Sequence, residues 1–107
     1  MSQNSEIRIP FPGRELPALW TVPEAPRGVV LFAHGSGSGR RSPRNQLVAQ
    51  VLGEDGFATL LADLLDEHEA QDRRKTFDIE LLGERVLELI AWTGKQPAVR
   101  NVPLGLF

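Results

Sequence analysis

The residues best equipped for chemistry stand together in one short stretch, His34-Gly35-Ser36-Gly37-Ser38-Gly39. It offers an imidazole, two hydroxyls and a series of main-chain N–H groups that alternating glycines leave unshielded, because glycine has no Cβ to keep a ligand away. Arg40, Arg41 and Arg44 follow around Ser42-Pro43. Such a loop suits an anionic oxygen, either on a phosphate or on the developing oxyanion of acyl transfer. A dinucleotide fingerprint needs Gly-x-Gly-x-x-Gly, yet the third position falls on Arg40 in one register and on Ser42 in the other. Only Asp63, placed where a ribose-binding acid would sit, keeps a degenerate nucleotide-binding reading open. A phosphate loop of the Gly-x-x-x-x-Gly-Lys type fails outright, since no lysine occurs between residues 28 and 74.

The single residues divide between functional and structural roles. His34 as a general base would need a nucleophile within hydrogen-bond reach, and the sequence shows none. Ser36 and Ser38 are expected to satisfy local main-chain groups. His68 lies among Asp66, Glu67, Glu69 and Asp72, but without the spacing of a metal site, so no metal and no cofactor are expected. Arg40, Arg41 and Arg44 have two readings that remain open: contact with a substrate anion, or ion pairs with Asp63, Asp66 and the acids of 66–72.

The elements that must position this loop follow from periodicity. Residues 1–5 read as a disordered tail and 6–22 as a hairpin, with Pro17 confining its part of the second strand to an edge or a bulge. Val29 to Ala33 is a continuous apolar run, the mark of a strand buried on both faces in a parallel sheet. Ser42-Pro43 starts a helix whose buried face is Leu47, Val48, Val51 and Leu52, and Gly56 ends it. Residues 57–63 form a strand, and 66–75 are a charged surface loop or a frayed helical turn. Asp78 caps a helix with Phe77 stapled to Leu82, burying Ile79, Leu82, Val86, Leu89 and Ile90 and exposing Glu80, Glu84, Arg85 and Glu88. Gly94 and Lys95 close it, and a fifth strand occupies 102–107. Trp20 and Trp92 are expected in the core or at its edge. Strands alternating with helices predict an α/β fold, a hairpin followed by β-α-β-α-β over 28–107, with a mostly parallel sheet and two flanking helices.

Composition narrows the classes. With 107 residues, one domain is expected. A net charge of −2 argues against a broad nucleic-acid or anionic-membrane surface, and no apolar run approaches the length of a membrane span. Cysteine is absent, which removes disulfides, thiolate metal sites and thiol nucleophiles; the cytoplasm is the natural expectation, although a cysteine-free chain is equally compatible with secretion.

Three segments together carry a resemblance: Val30-Leu31-Phe32-Ala33-His34-Gly35-Ser36-Gly37-Ser38-Gly39, then Ser42-Pro43-Arg44-Asn45, then Gly56 to Leu65. With the closing Pro103-Leu104-Gly105-Leu106-Phe107, the chain resembles the α/β-hydrolase superfamily, and among its branches the dienelactone-hydrolase-like proteins. That resemblance implies a sheet order of 1-2-4-3-5 and an oxyanion loop at His34, Gly35, Ser36 and Gly37, with the Ser36 N–H as donor and His34 as a prop. It also implies an ester or lactone substrate. The family's nucleophile elbow, Gly-x-Ser-x-Gly, would follow the fifth strand, with acid and histidine after it. None is present in these residues, so the chain is expected to be one incomplete hydrolase domain, inactive alone. Its fifth strand would be an open edge for self-association or a complementary chain; the alternative is a non-catalytic fragment or assembly module.

Overall fold

The computed structural model describes residues 3–33 and 40–107. Its elements are β1 (Gln3–Phe11), β2 (Arg14–Val22), β3 (Val29–Phe32), α1 (Pro43–Glu54), β4 (Ala58–Ala62), α2 (Arg73–Thr76), α3 (Ile79–Gly94) and β5 (Leu104–Leu106). Single 3-10 turns lie at Glu69–Gln71 and Pro97–Val99. One sheet runs in the order β1-β2-β4-β3-β5. The two pairings on the hairpin side, β1·β2 and β2·β4, are antiparallel, and β4·β3 and β3·β5 are parallel. The sheet is thus mixed rather than mostly parallel, because the hairpin is built into it. Residues 3–5, read from the sequence as part of a tail, belong to β1 and pair with Trp20 to Val22.

Pro17 occupies an interior strand, between β1 and β4, contrary to the edge or bulge expected. Its carbonyl accepts the Asp63 N–H at 3.0 Å, just past the last residue of β4. The N and C=O of a strand residue point the same way, so the missing N–H is the one that would have answered the Asp63 carbonyl, at the last position of the β2·β4 pairing. One bond is forgone there.

Alternation along the strands assigns the two faces. Ile9, Leu16, Ala18, Leu31, Leu60 and Ala62 form one core with Leu64, Leu65 and the Leu82 and Leu89 side chains of α3. Trp20 of β2 meets Trp92 of α3 edge to face, centroids 5.6 Å apart, so both pack at the rim of that core. The buried positions of α3 are Leu82, Arg85, Leu89 and Thr93. Arg85 was expected in solvent and Ile79 in the core; instead Arg85 is 3% exposed and Ile79, at the first position of the helix, 78%. Phe77 is also largely exposed and makes a poor staple. Glu88 bonds Arg14 at 2.7 Å, tying α3 to the hairpin.

The other face carries α1. Ser42 caps it, its Oγ accepting the Asn45 N–H, and Pro43 takes the first turn. At the far end Gly56 has a φ of 91°, and the Phe57 N–H reaches back to the Leu52 carbonyl at 3.0 Å. That closure needs a left-handed residue, which glycine supplies without a Cβ clash. The expected buried face is displaced around the helix. Residues 45, 48 and 52 turn inward, whereas Leu47 and Val51 stay more than half exposed. No described residue covers that flank.

Candidate functional site

Parallel strands β3 and β4 end at the same edge of the sheet, and the loops leaving their carboxyl ends are where α/β folds hold ligands. The chain reaches that edge through Ala33, whose N–H donates to the Phe107 carbonyl at 3.0 Å, while the Phe107 N–H donates to Leu31 at 2.9 Å. The phenyl ring of Phe107 stacks on Phe32, with centroids 5.0 Å apart. Residues 34–39, which include His34, Gly35, Ser36 and Gly37, the positions expected to form an oxyanion loop, lie outside the described residues. The description resumes at Arg40.

Arg40 is one of few charged side chains that the fold buries, at 6% exposure. Its main-chain N–H donates to Asp63 Oδ1 at 2.7 Å, its Nη1 to Asp63 Oδ2, and its Nε to Glu6 Oε1 at 3.1 Å. Its carbonyl accepts from Gln46 Nε2 at 2.7 Å. Burial alone would lower the guanidinium pKa, but the bonds to Glu6 and Asp63 outweigh it and raise it. Of the two readings of the arginines, ion pairing with Asp63 is what the structure contains for Arg40. Arg41 and Arg44 are exposed at the start of α1. Because both Asp63 oxygens are engaged by Arg40, the acid that a nucleotide ribose would need is occupied.

The segment 66–75 is pinned down. Asp66 and Glu69 exchange main-chain N–H and carboxylate bonds at 3.1 and 2.7 Å, a reciprocal cap on the 3-10 turn. Glu69 then accepts from Nη1 and Nη2 of Arg85, at 2.8 and 2.6 Å, and Arg85 Nη1 also donates to the Leu64 carbonyl at 3.0 Å. The Arg85 bonds hold the Glu69 carboxyl down at about 2. Asp72 caps α2, and its pKa is lowered by the hydrogen bonds it accepts from Arg74. Among the described residues no group of three His, Asp or Glu converges as a metal site. No helix there is long and apolar enough to cross a membrane.

Sequence reasoning missed Glu6 and Gln46, placed Arg85 in solvent, and named Glu69 among the acids of 66–72 without its partner Arg85. The Asp66-x-x-Glu69 spacing was a visible capping signal, and Arg85 falls on the helical line Leu82, Leu89, Thr93. Glu6 and Gln46 carried no such mark.

No protein-family model matches the chain. Two curated relatives, from Mycobacterium tuberculosis strains CDC 1551 and H37Rv, bear the name "putative phosphoribosyl transferase"; each is 54% identical over 87 residues. Those residues are 81% of this chain but 20% of each relative, so the match spans about a fifth of their length. Among solved structures, a dienelactone hydrolase from Anabaena variabilis superposes with a TM-score of 0.91 at 38% identity, covering 99% of this chain and 51% of that one. Est1E from Butyrivibrio proteoclasticus shares the fold, with a TM-score of 0.64 at 19% identity over 94% of this chain and 39% of its own. Over nearly its whole length the chain is similar in sequence and in fold to about half of a dienelactone hydrolase, and its fold is that of the α/β hydrolases.

Proposed function

We propose that this chain is the oxyanion-loop half of a serine hydrolase acting on a small ester or lactone. The observation that carries the reading is the match to a dienelactone hydrolase at a TM-score of 0.91 and 38% identity, with segment 34–39 leaving the carboxyl end of β3. In this reading the Ser36 N–H is one donor to the tetrahedral oxyanion, and His34 supports the loop. The nucleophile, acid and base come from residues outside this unit, and the second donor with them. The substrate carboxylate contact, if the substrate has one, falls to the exposed Arg41 and Arg44, because Arg40 is paired.

The test is hydrolysis of a p-nitrophenyl ester. The 107-residue chain alone should turn it over no faster than buffer. A longer protein carrying this unit should hydrolyse it, and should lose the activity when its elbow serine is changed to alanine. Turnover by the short chain, or none by the longer protein, overturns the reading. The transferase name of the mycobacterial relatives is compatible with it. They are about five times the matched length, roughly 435 residues, which leaves room for a separate domain to carry the named chemistry.

A second reading, assembly through β5, has its own support. Pro103 gives its carbonyl to the Val29 N–H at 2.9 Å, so its missing donor faces β3 rather than the free edge, which it therefore does not blunt. Leu106 and Phe107 are half exposed beside that edge. Light scattering on the isolated chain should show self-association; a clean monomer at high concentration refutes it.

A further inference from the structure

A buried arginine is a costly way to gain stability, because desolvation consumes most of the attraction, and its best-attested use is to specify geometry. Arg40 fits that use. It touches Glu6 of β1, Asp63 at the end of β4 and Gln46 of α1, and Asp63 is itself fixed to β2 through the Pro17 carbonyl. Its contacts involve the main-chain N–H and C=O as well as the guanidinium, so backbone and side chain are both held. On the other side of segment 34–39, Ala33 is held by Phe107. We infer that Arg40 and Asp63 are a positioning pair that fixes where the chain emerges from segment 34–39 at the carboxyl edge of the sheet. The purpose of that anchor rests on the hydrolase reading; the anchor itself does not.

The pair differs from an ordinary surface bridge in what its loss would disturb. A hydrolase's oxyanion donors contribute on the order of 100- to 1000-fold in kcat, and only when aimed correctly. Six residues separate the two anchors, Ala33 and Arg40. Loss of the Arg40 anchor leaves Ala33 as the one fixed point beside that segment, and small misplacements near reacting atoms are expensive in rate. Neither Arg40 nor Asp63 touches the reacting atoms in this account, and both act by holding the backbone at residue 40.

Two measurements decide it. In the isolated chain, amide hydrogen exchange at Arg40 should speed up roughly 10-fold or more in Asp63→Ala and Arg40→Met, while core amides such as Leu60 change little. In a longer protein that carries this unit and hydrolyses esters, Arg40→Met should lower kcat per titrated nucleophile by about 10-fold or more with KM nearly unchanged. Arg40→Lys should recover only part, since an ammonium cannot reproduce the fork that meets Asp63 and Glu6 together. Arg73→Met, exposed on α2, serves as the control and should leave kcat unchanged. Unchanged exchange at Arg40 overturns the anchor. Faster exchange with unchanged kcat per active site overturns the positioning role. If Arg40→Met does not fold, Glu6→Gln, which removes only the exposed partner's charge, should give the same effects in weaker form, and no effect there also counts against the inference. A longer protein with no activity even before substitution defeats the hydrolase reading, and the exchange measurement still decides the anchor.

Discussion

Stability between pH 5 and pH 2 should be governed in large part by one carboxyl group. Glu69 accepts two bonds from a guanidinium that is nearly buried, and its own side chain is 12% exposed. Its pKa is accordingly held at about 2, against an ordinary value of 4.5. A depressed pKa contributes stability that is fully present above the unfolded value and is lost as pH falls toward the folded one. At about 1.4 kcal/mol per unit, the whole contribution is roughly 3 kcal/mol, of which about 2 should be gone by pH 3. The experiment is urea unfolding followed by far-ultraviolet circular dichroism from pH 7 to pH 2.5, on the native sequence and on Glu69→Gln. At pH 7 the variant should be less stable by roughly 3 kcal/mol or more, because Arg85 is left charged and buried without its partner. Toward pH 2.5 the two curves should converge. Raising the salt to about 0.5 M should barely reduce the gap, since buried pairs are poorly screened. A gap that stays constant across the pH range would refute the reasoning, for it would mean that Glu69 acts by packing and not by charge.

Two substitutions probe the elements beside the candidate site. Gly28→Ala would put a Cβ 3.1 Å from the Pro103 carbonyl oxygen and 3.3 Å from the Phe57 ring, so it should cost about 1–2 kcal/mol by overpacking and speed amide exchange at Val29. Ser42→Ala removes the oxygen that accepts the Asn45 N–H, and should cost about 1 kcal/mol in a urea titration with an unchanged m-value.

Much of the architecture was legible because local rules and burial agreed. Val29 to Phe32 is an apolar run, Ala58 to Ala62 is apolar but for Thr59, and the two form the central parallel pair. Ser42-Pro43, Gly56 and Asp78 mark helix ends by rules that act within a few residues, and the helices begin and end there. The sheet order came from the family resemblance, not from the residues themselves. What failed was anything decided at a distance. Leu47 and Val51 have the spacing of a buried stripe, but burial also needs something to cover it, and no described residue does. Arg85 was assigned to solvent by its charge, although its position on α3 is inward; its partner Glu69 lies sixteen residues earlier on a separate turn. Pro17 is tolerated inside the sheet because the register with β4, a property of another strand, sets it opposite Asp63, where the pairing ends and one bond is forgone. The same holds for the candidate site. The glycine segment announces itself through composition, whereas the Arg40 network joins residues 6, 40, 46 and 63, which only the fold brings together.

The edge-to-face tryptophan pair has a use apart from packing. The chain contains two tryptophans and no tyrosine, and Trp20 on β2 meets Trp92 on α3 with their planes 76° apart. Near-ultraviolet absorbance and emission therefore originate almost entirely at one junction, where a helix lies on the hairpin side of the sheet. At this separation the two indoles couple, so a paired circular-dichroism band should exist while α3 is docked and vanish when it lifts, even if both elements keep their secondary structure. The molecule thus carries its own optical clock for helix docking, and stopped-flow refolding can time that event without an added dye.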